Sequence, residues 1–122
     1  MDAKNLLILM SDEHDPRYMG CYGHPFVQTP NIDRLAENGT RFETAYTPCP
    51  ICVPARASFA TGRPVHETGC WDNAHGYDGS ITGWGQRLID EGHQVESIGK
   101  LHYKSEEAPT GFSRQHQPMH LK

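Results

Sequence analysis

The stretch Cys49-Pro50-Ile51-Cys52-Val53-Pro54-Ala55-Arg56-Ala57-Ser58 gathers the residue types best suited to chemistry in this 122-residue chain. A zinc site would need a second close pair of Cys or His to complete Cys49-x-x-Cys52. Cys21 and Cys70 stand alone, and His66 and His75 lack ligand spacing to a cysteine. A thioredoxin-type redox pair would sit at a helix start, which Pro54 permits, but the rest of that fold's pattern is missing. The third reading makes Cys52 a nucleophile. With Pro54 as the first helical residue, Cys52 lies just ahead of a helix N-terminus, where free N–H groups and the dipole favour anions. Arg56 follows within the first turn and can hold an anionic group against Cys52. That arrangement suits attack on a sulfate, phosphate or phosphonate ester. Cys21, Cys49 and Cys70 read as small packing residues.

The elements that must position these residues follow an α/β pattern. Leu6 to Met10 is a continuous apolar run, as in strands buried on both faces of a parallel sheet. Asp12 and Glu13 follow it, at the carboxyl end where α/β proteins bind ligands. Residues 15–28 read as a structured loop rich in Gly, Pro and aromatics. Thr29 as N-cap and Pro30 at the first position open a helix that Asn38-Gly39 stops. Thr40 to Thr47 alternates and predicts a strand or extended segment. A second helix is predicted from Pro54 to Thr61, closed by Gly62 and blocked by Pro64. Residues 66–80 read as a polar loop, Trp84 to Glu91 as a helix, and His93 to Ile98 as a short strand leading to Gly99-Lys100-Leu101-His102. The last twenty residues show no periodicity. The order β-α-β-α-α-β predicts a mostly parallel sheet with flanking helices. Its first strand wants neighbours that so few strands barely supply, which predicts incompleteness and exposed sheet edges prone to association.

Composition narrows the partners. Apolar residues make up 36% of the chain and net charge is −4, with eight His. No Lys/Arg block stands out, which argues against nucleic acid. The N-terminal apolar run is too short for a signal peptide, and no stretch approaches the roughly 20 apolar residues of a membrane span. The expectation is a soluble, cytoplasmic chain with reduced cysteines; two disulfides in a secreted domain is the alternative.

Cys52-x-Pro54-x-Arg56-x-Ser58, continuing to Thr61-Gly62-Arg63, resembles the C-x-P-x-R signature of type I sulfatases, in the alkaline-phosphatase-like superfamily. Leu6 to Asp12 is similar to that family's first strand and metal-binding Asp. Thr29-Pro30-Asn31-Ile32-Asp33-Arg34-Leu35-Ala36 resembles its T-P-N-[IL]-D-x-L-A segment, and Gly39-Thr40-Arg41-Phe42 the usual sequel. Gly99-Lys100-Leu101-His102 resembles G-K-x-H, and Asn73 resembles an active-site Asn of the choline-sulfatase and phosphonate-monoester-hydrolase branch.

The resemblance implies that residues 1–122 are the N-terminal part of a sulfatase-like catalytic domain, an incomplete alkaline-phosphatase-like sandwich, with little or no activity alone. It implies that a formylglycine-generating enzyme oxidises Cys52 to formylglycine. The aldehyde would hydrate to a gem-diol that attacks the ester and then expels sulfate. Arg56, Lys100 and His102 would neutralise charge on the transferred group. Asp12 and residue 52 would ligate a divalent metal, Ca²⁺ first and Mn²⁺ or Mg²⁺ as alternatives. Asn73 would bind substrate, and so would Glu13, which stands where many arylsulfatases carry a second Asp. The substrate would be a small sulfate ester or, as the alternative, a phosphonate ester. A non-catalytic α/β interaction domain is the reading outside the enzyme class. Association with a C-terminal part or with a second copy is expected.

Overall fold

A computed structural model describes residues 5–120. The chain divides into two compact units, residues 1–45 and 46–122. In the first, 3₁₀ turns at Pro16–Tyr18 and Gly20–Tyr22 precede helix α1, Pro30–Asn38. Asp15 caps the first turn through the Arg17 amide, and Pro16 supplies its fixed φ at the start. Thr29 stands at the N-cap of α1 as its residue type predicts, but its hydroxyl makes no cap bond. It accepts from the Gly20 amide and donates to Asp33 Oδ1, each at 2.8 Å. The same Asp33 oxygen accepts from the Cys21 amide at 2.7 Å. One carboxylate thus ties α1 to the second turn, and a Cβ at Gly20 would collide with it. Tyr22 donates to the Phe42 carbonyl at 2.7 Å, and Arg41 lies over the Tyr22 ring. No described residue of this unit is buried.

The predicted first strand does not form. Leu6 to Met10 carry no ladder pairing, and Leu7 is 79% exposed. A strand exists only by pairing, and an apolar run without a neighbouring ladder stays extended in water. Thr40 to Thr47 is also an exposed, unpaired segment rather than a strand.

The second unit carries the core. Helix α2, Cys52–Thr61, starts two residues earlier than Pro54 suggests, so Pro54 occupies its third position. The first-turn amides have no partner within the helix, which makes a missing N–H harmless there. Gly62 ends α2 at φ 69° and donates to the Ser58 carbonyl, the left-handed close that Gly permits. Val53, Ala57 and Ala60, spaced as one helical stripe, are buried against Cys70, Tyr77 and Tyr103, with Ile81, Leu101 and Phe112 at the margin. Tyr77 and Tyr103 meet edge to face at 5.1 Å between centroids. Helix α3, Val65–Thr68, is a single turn inside the region read as loop, and α4 spans Trp84–Asp90. Gly85 admits the Gly111 carbonyl where a Cβ would overlap it, so the start of α4 packs backbone to backbone.

Strand β1, Glu96–Lys100, is shifted two to three residues beyond the predicted segment. It pairs in parallel with β2, Arg114–Met119, a strand that nothing in RQHQPM announces. Ile98 pairs with His116, but Lys100 pairs with Met119, so β2 holds one extra residue at that point. Gly99 at φ 88° faces the irregularity and Gln117 at φ 47° absorbs it, a bulge that re-aims the end of β1. Pro118 fits there because a bulge frees it from donating an N–H. Among the described residues no helix is long and apolar enough to cross a membrane.

Candidate active site

Cys52 is the first residue of α2 and is half-buried. Its helical neighbour four residues on is Arg56, so both face the same way. Lys100, last residue of β1, lies along that face. Its Nζ donates to Cys52 Sγ at 3.6 Å, and its carbonyl accepts from Arg56 Nη1. Arg56 is 9% exposed. A guanidinium taken that far out of water needs strong partners, and this charge-assisted bond supplies one. Arg56 therefore fixes the backbone from which the Lys100 ammonium reaches residue 52. Whatever its role toward a substrate, it also sets the end of β1.

Asn73 approaches from the segment between α3 and α4. Its Oδ1 accepts from the Val53 amide at 3.0 Å. On the same segment Asp72 accepts from the Ala74 amide and meets His75 Nδ1 at 2.8 Å; the His75 contact, most of all, holds the Asp72 carboxyl below its usual range. His102 follows Lys100 by two residues, at φ 57°, with its amide donating to the Met119 carbonyl at 2.9 Å. The left-handed conformation is costly for a side chain with a Cβ, and the paired backbone holds it in place. Of the predicted residues, the second unit brings Cys52, Arg56, Asn73 and Lys100 together on the first two turns of α2, with His102 on the turn that follows Lys100.

Asp12 and Glu13 belong to the first unit. They form an exposed turn, with Glu13 at φ 55°. Among the described residues, no group of three or more His, Cys, Asp or Glu could hold a metal ion. A hard divalent cation takes about six oxygen ligands. Asp12 offers one carboxylate of the right kind, so the donor set in these residues is incomplete and no chemical step is assigned to a metal here. Cys70 packs in the core: burial, opposed by a Thr68 hydrogen bond, pushes its thiol up and keeps it protonated. The sequence marks neither the Val53 amide nor the Lys100 carbonyl, because both act through the main chain.

The sulfatase family profile matches residues 4–108. The chain belongs to the sulfatase family. An N-acetylglucosamine-6-O-sulfatase of Bacteroides thetaiotaomicron is 40% identical over 108 residues, which is 88% of this chain and 19% of that protein. Arylsulfatase K of Bos taurus is 38% identical over 104 residues, 85% of this chain and 19% of the relative. A solved structure, of a protein in complex with its substrate D-glucosamine-2-N,6-O-disulfate, superposes with a TM-score of 0.81 at 40% identity. That match covers 87% of this chain and 21% of the solved one. The sulfatase segment thus spans about a fifth of the length of the curated relatives it matches. Its short parallel sheet and helices fit an incomplete alkaline-phosphatase-like fold.

Proposed function

We propose that residues 1–122 are the N-terminal part of a catalytic domain that hydrolyses sulfate esters at residue 52. The observation that supports this most is the contact of Lys100 Nζ with Cys52 Sγ at 3.6 Å on the opening turn of α2. An ammonium and a helix N-terminus converge there, and both favour a tetrahedral oxyanion. Pro54 has no N–H and the Val53 amide goes to Asn73. Oxidised to formylglycine, residue 52 would supply an oxygen nucleophile that can later release sulfate, an exit that a thiol lacks. In this reading Lys100 binds a sulfate oxygen and offsets charge developing on it. Arg56 holds Lys100 in reach through its carbonyl, and His102 is positioned by the turn that follows. Asp12 contributes one hard ligand to a divalent ion, with Ca²⁺ as the first candidate, while the remaining ligands come from the larger part of the domain. Glu13 faces solvent or substrate.

Two relatives at 40% identity support a choice of substrate class: one is an N-acetylglucosamine-6-O-sulfatase and one was solved with a disulfated glucosamine. A sulfated amino sugar is therefore the ester to test first, with a phosphonate monoester in parallel. After expression with a formylglycine-generating enzyme, the peptide spanning Cys52 should be lighter by about 18 Da than its cysteine form. In the longest reading frame containing these residues, glucosamine 6-sulfate should release sulfate, and Lys100→Ala should lower kcat/KM by about 10²–10³-fold. An unmodified Cys52 under those conditions, with no sulfate released, would sink the enzyme reading. Phosphonate cleavage without sulfate release would transfer it to the other branch.

A further inference from the structure

The first turn of α2 lacks the cap that its residues would ordinarily provide. Its N-cap is Ile51, whose side chain has no acceptor, and no side-chain cap bond is made from that position. A helix beginning this way leaves its leading amides to find partners elsewhere. The Ala55 amide reaches the Ile51 carbonyl at 3.1 Å, and Pro54 has no amide hydrogen to place. The Val53 amide is met by Asn73 Oδ1 at 3.0 Å, across 20 residues of chain. Val53 is itself 1% exposed and belongs to the core stripe of α2. Without Asn73, a buried residue would leave its amide unsatisfied.

We propose that Asn73 is a positioning residue for residue 52, acting as the N-terminal cap of α2 from outside the helix. Its side-chain carbonyl does what a Ser, Thr or Asp at position 51 would do. It fixes the peptide between Cys52 and Val53, and with it the direction in which residue 52 leaves the helix. Lys100 Nζ reaches Cys52 Sγ at 3.6 Å, so the geometry between ammonium and reacting atom depends on this cap. The assignment makes Asn73 act through Val53, and it rests on the sulfatase reading only for its catalytic consequence. It also accounts for an amide at this position: the acceptor serves the helix without placing a negative charge beside an incoming anion, as Asp would.

The test is nuclear magnetic resonance on the 122-residue chain. In the wild type, a scalar coupling should appear across the hydrogen bond between the Val53 nitrogen and the Asn73 side-chain carbonyl carbon. This measurement needs no variant and so survives a folding failure of either substitution. In Asn73→Ala, exchange of the Val53 amide should quicken about tenfold, the scale of a lost N-cap, while the Ala57 amide keeps its rate. Asn73→Asp retains the acceptor and should restore Val53 to within about threefold of wild type. No coupling in the wild type, equal Val53 exchange with and without Asn73, or failure of the Asp variant to restore it would each overturn the proposal. These readouts need no sulfatase activity. An unmodified Cys52 with the coupling present would defeat the enzyme reading and leave the cap standing; formylglycine without the coupling would do the reverse.

Discussion

Residues 46–120 and residues 5–45 hold their shapes by different means. The larger region buries Val53, Ala57, Ala60, Cys70, Tyr77, Val95 and Tyr103, with Ala57 at 0% exposure. The smaller one buries nothing and relies on Asp33, Thr29, Tyr22 and Arg41 reaching to backbone groups. Apolar burial is worth about 1.5–3 kcal/mol for a large side chain, whereas a typical hydrogen bond nets roughly 1 kcal/mol. Cys52 and Lys100 therefore stand on a packed scaffold, while the acids Asp12 and Glu13 belong to the hydrogen-bonded one. The two duties proposed above, nucleophile and metal ligand, would place different demands on their supports. A reacting atom must be held to a fraction of an ångström, whereas a metal-bound carboxylate is also held by its ion.

The sharpest way to break that contrast is to truncate one apolar residue in each region. Tyr103→Ala should cost about 3–5 kcal/mol by urea denaturation, while Leu7→Ala should cost less than about 0.5 kcal/mol. Equal losses would mean that the 6–10 run is packed after all. Next in size is Asp33→Ala, which removes the acceptor shared by Cys21 and Thr29. It should cost about 1–3 kcal/mol locally, read as faster exchange of the Cys21 amide with the Ala57 amide unchanged. Acceleration at both would show that the regions unfold together.

Titration separates the regions further. Burial, the leading cause, pushes the Tyr103 phenol above its ordinary value of 10.0. The unfolded chain then loses that proton first, so the contribution of a neutral Tyr103 is complete below pH 10.0 and declines as pH rises above it. Tyr103→Phe should flatten this alkaline decline in thermal unfolding; an unchanged decline would assign it elsewhere. The smallest effect belongs to Asp15, which hydrogen bonds to Arg17 lower from 3.8 to about 2. Its contribution is present above pH 3.8 and lost as pH falls through about 2. Because the pair is exposed, Asp15→Ala should leave the urea midpoint unmoved, although the carboxyl titration itself will be visible by NMR.

The parts legible in the sequence are those written in local chemistry. Thr29-Pro30 and Gly39 bound α1, Gly62 and Pro64 bound α2, and the four-residue interval from Cys52 to Arg56 already puts both on one face. What escapes is what depends on a partner far along the chain. RQHQPM becomes a strand only because β1 lies beside it, and LLILM fails to become one for want of such a neighbour. The duties of Asn73 toward Val53 and of Arg56 toward Lys100 are also invisible, since each is a side chain serving a distant backbone group. Thr29 is a case between: its position is readable, but the Gly20 amide and Asp33 engage the hydroxyl in place of the cap.

The contact between Lys100 and Cys52 has a consequence in time as well as in space. The two residues are 48 apart in sequence. At synthesis rates of roughly 5–20 residues per second, Cys52 precedes the arrival of Lys100 by about 2 to 10 seconds. During that interval neither Lys100 nor its carbonyl bond to Arg56 exists, and α2 has no β1 to lean on. The nascent chain thus passes through a stage in which the cysteine is made but its surroundings are not. Any protein that must act chemically on Cys52 meets an open peptide in those seconds and a half-buried side chain beside Lys100 afterwards.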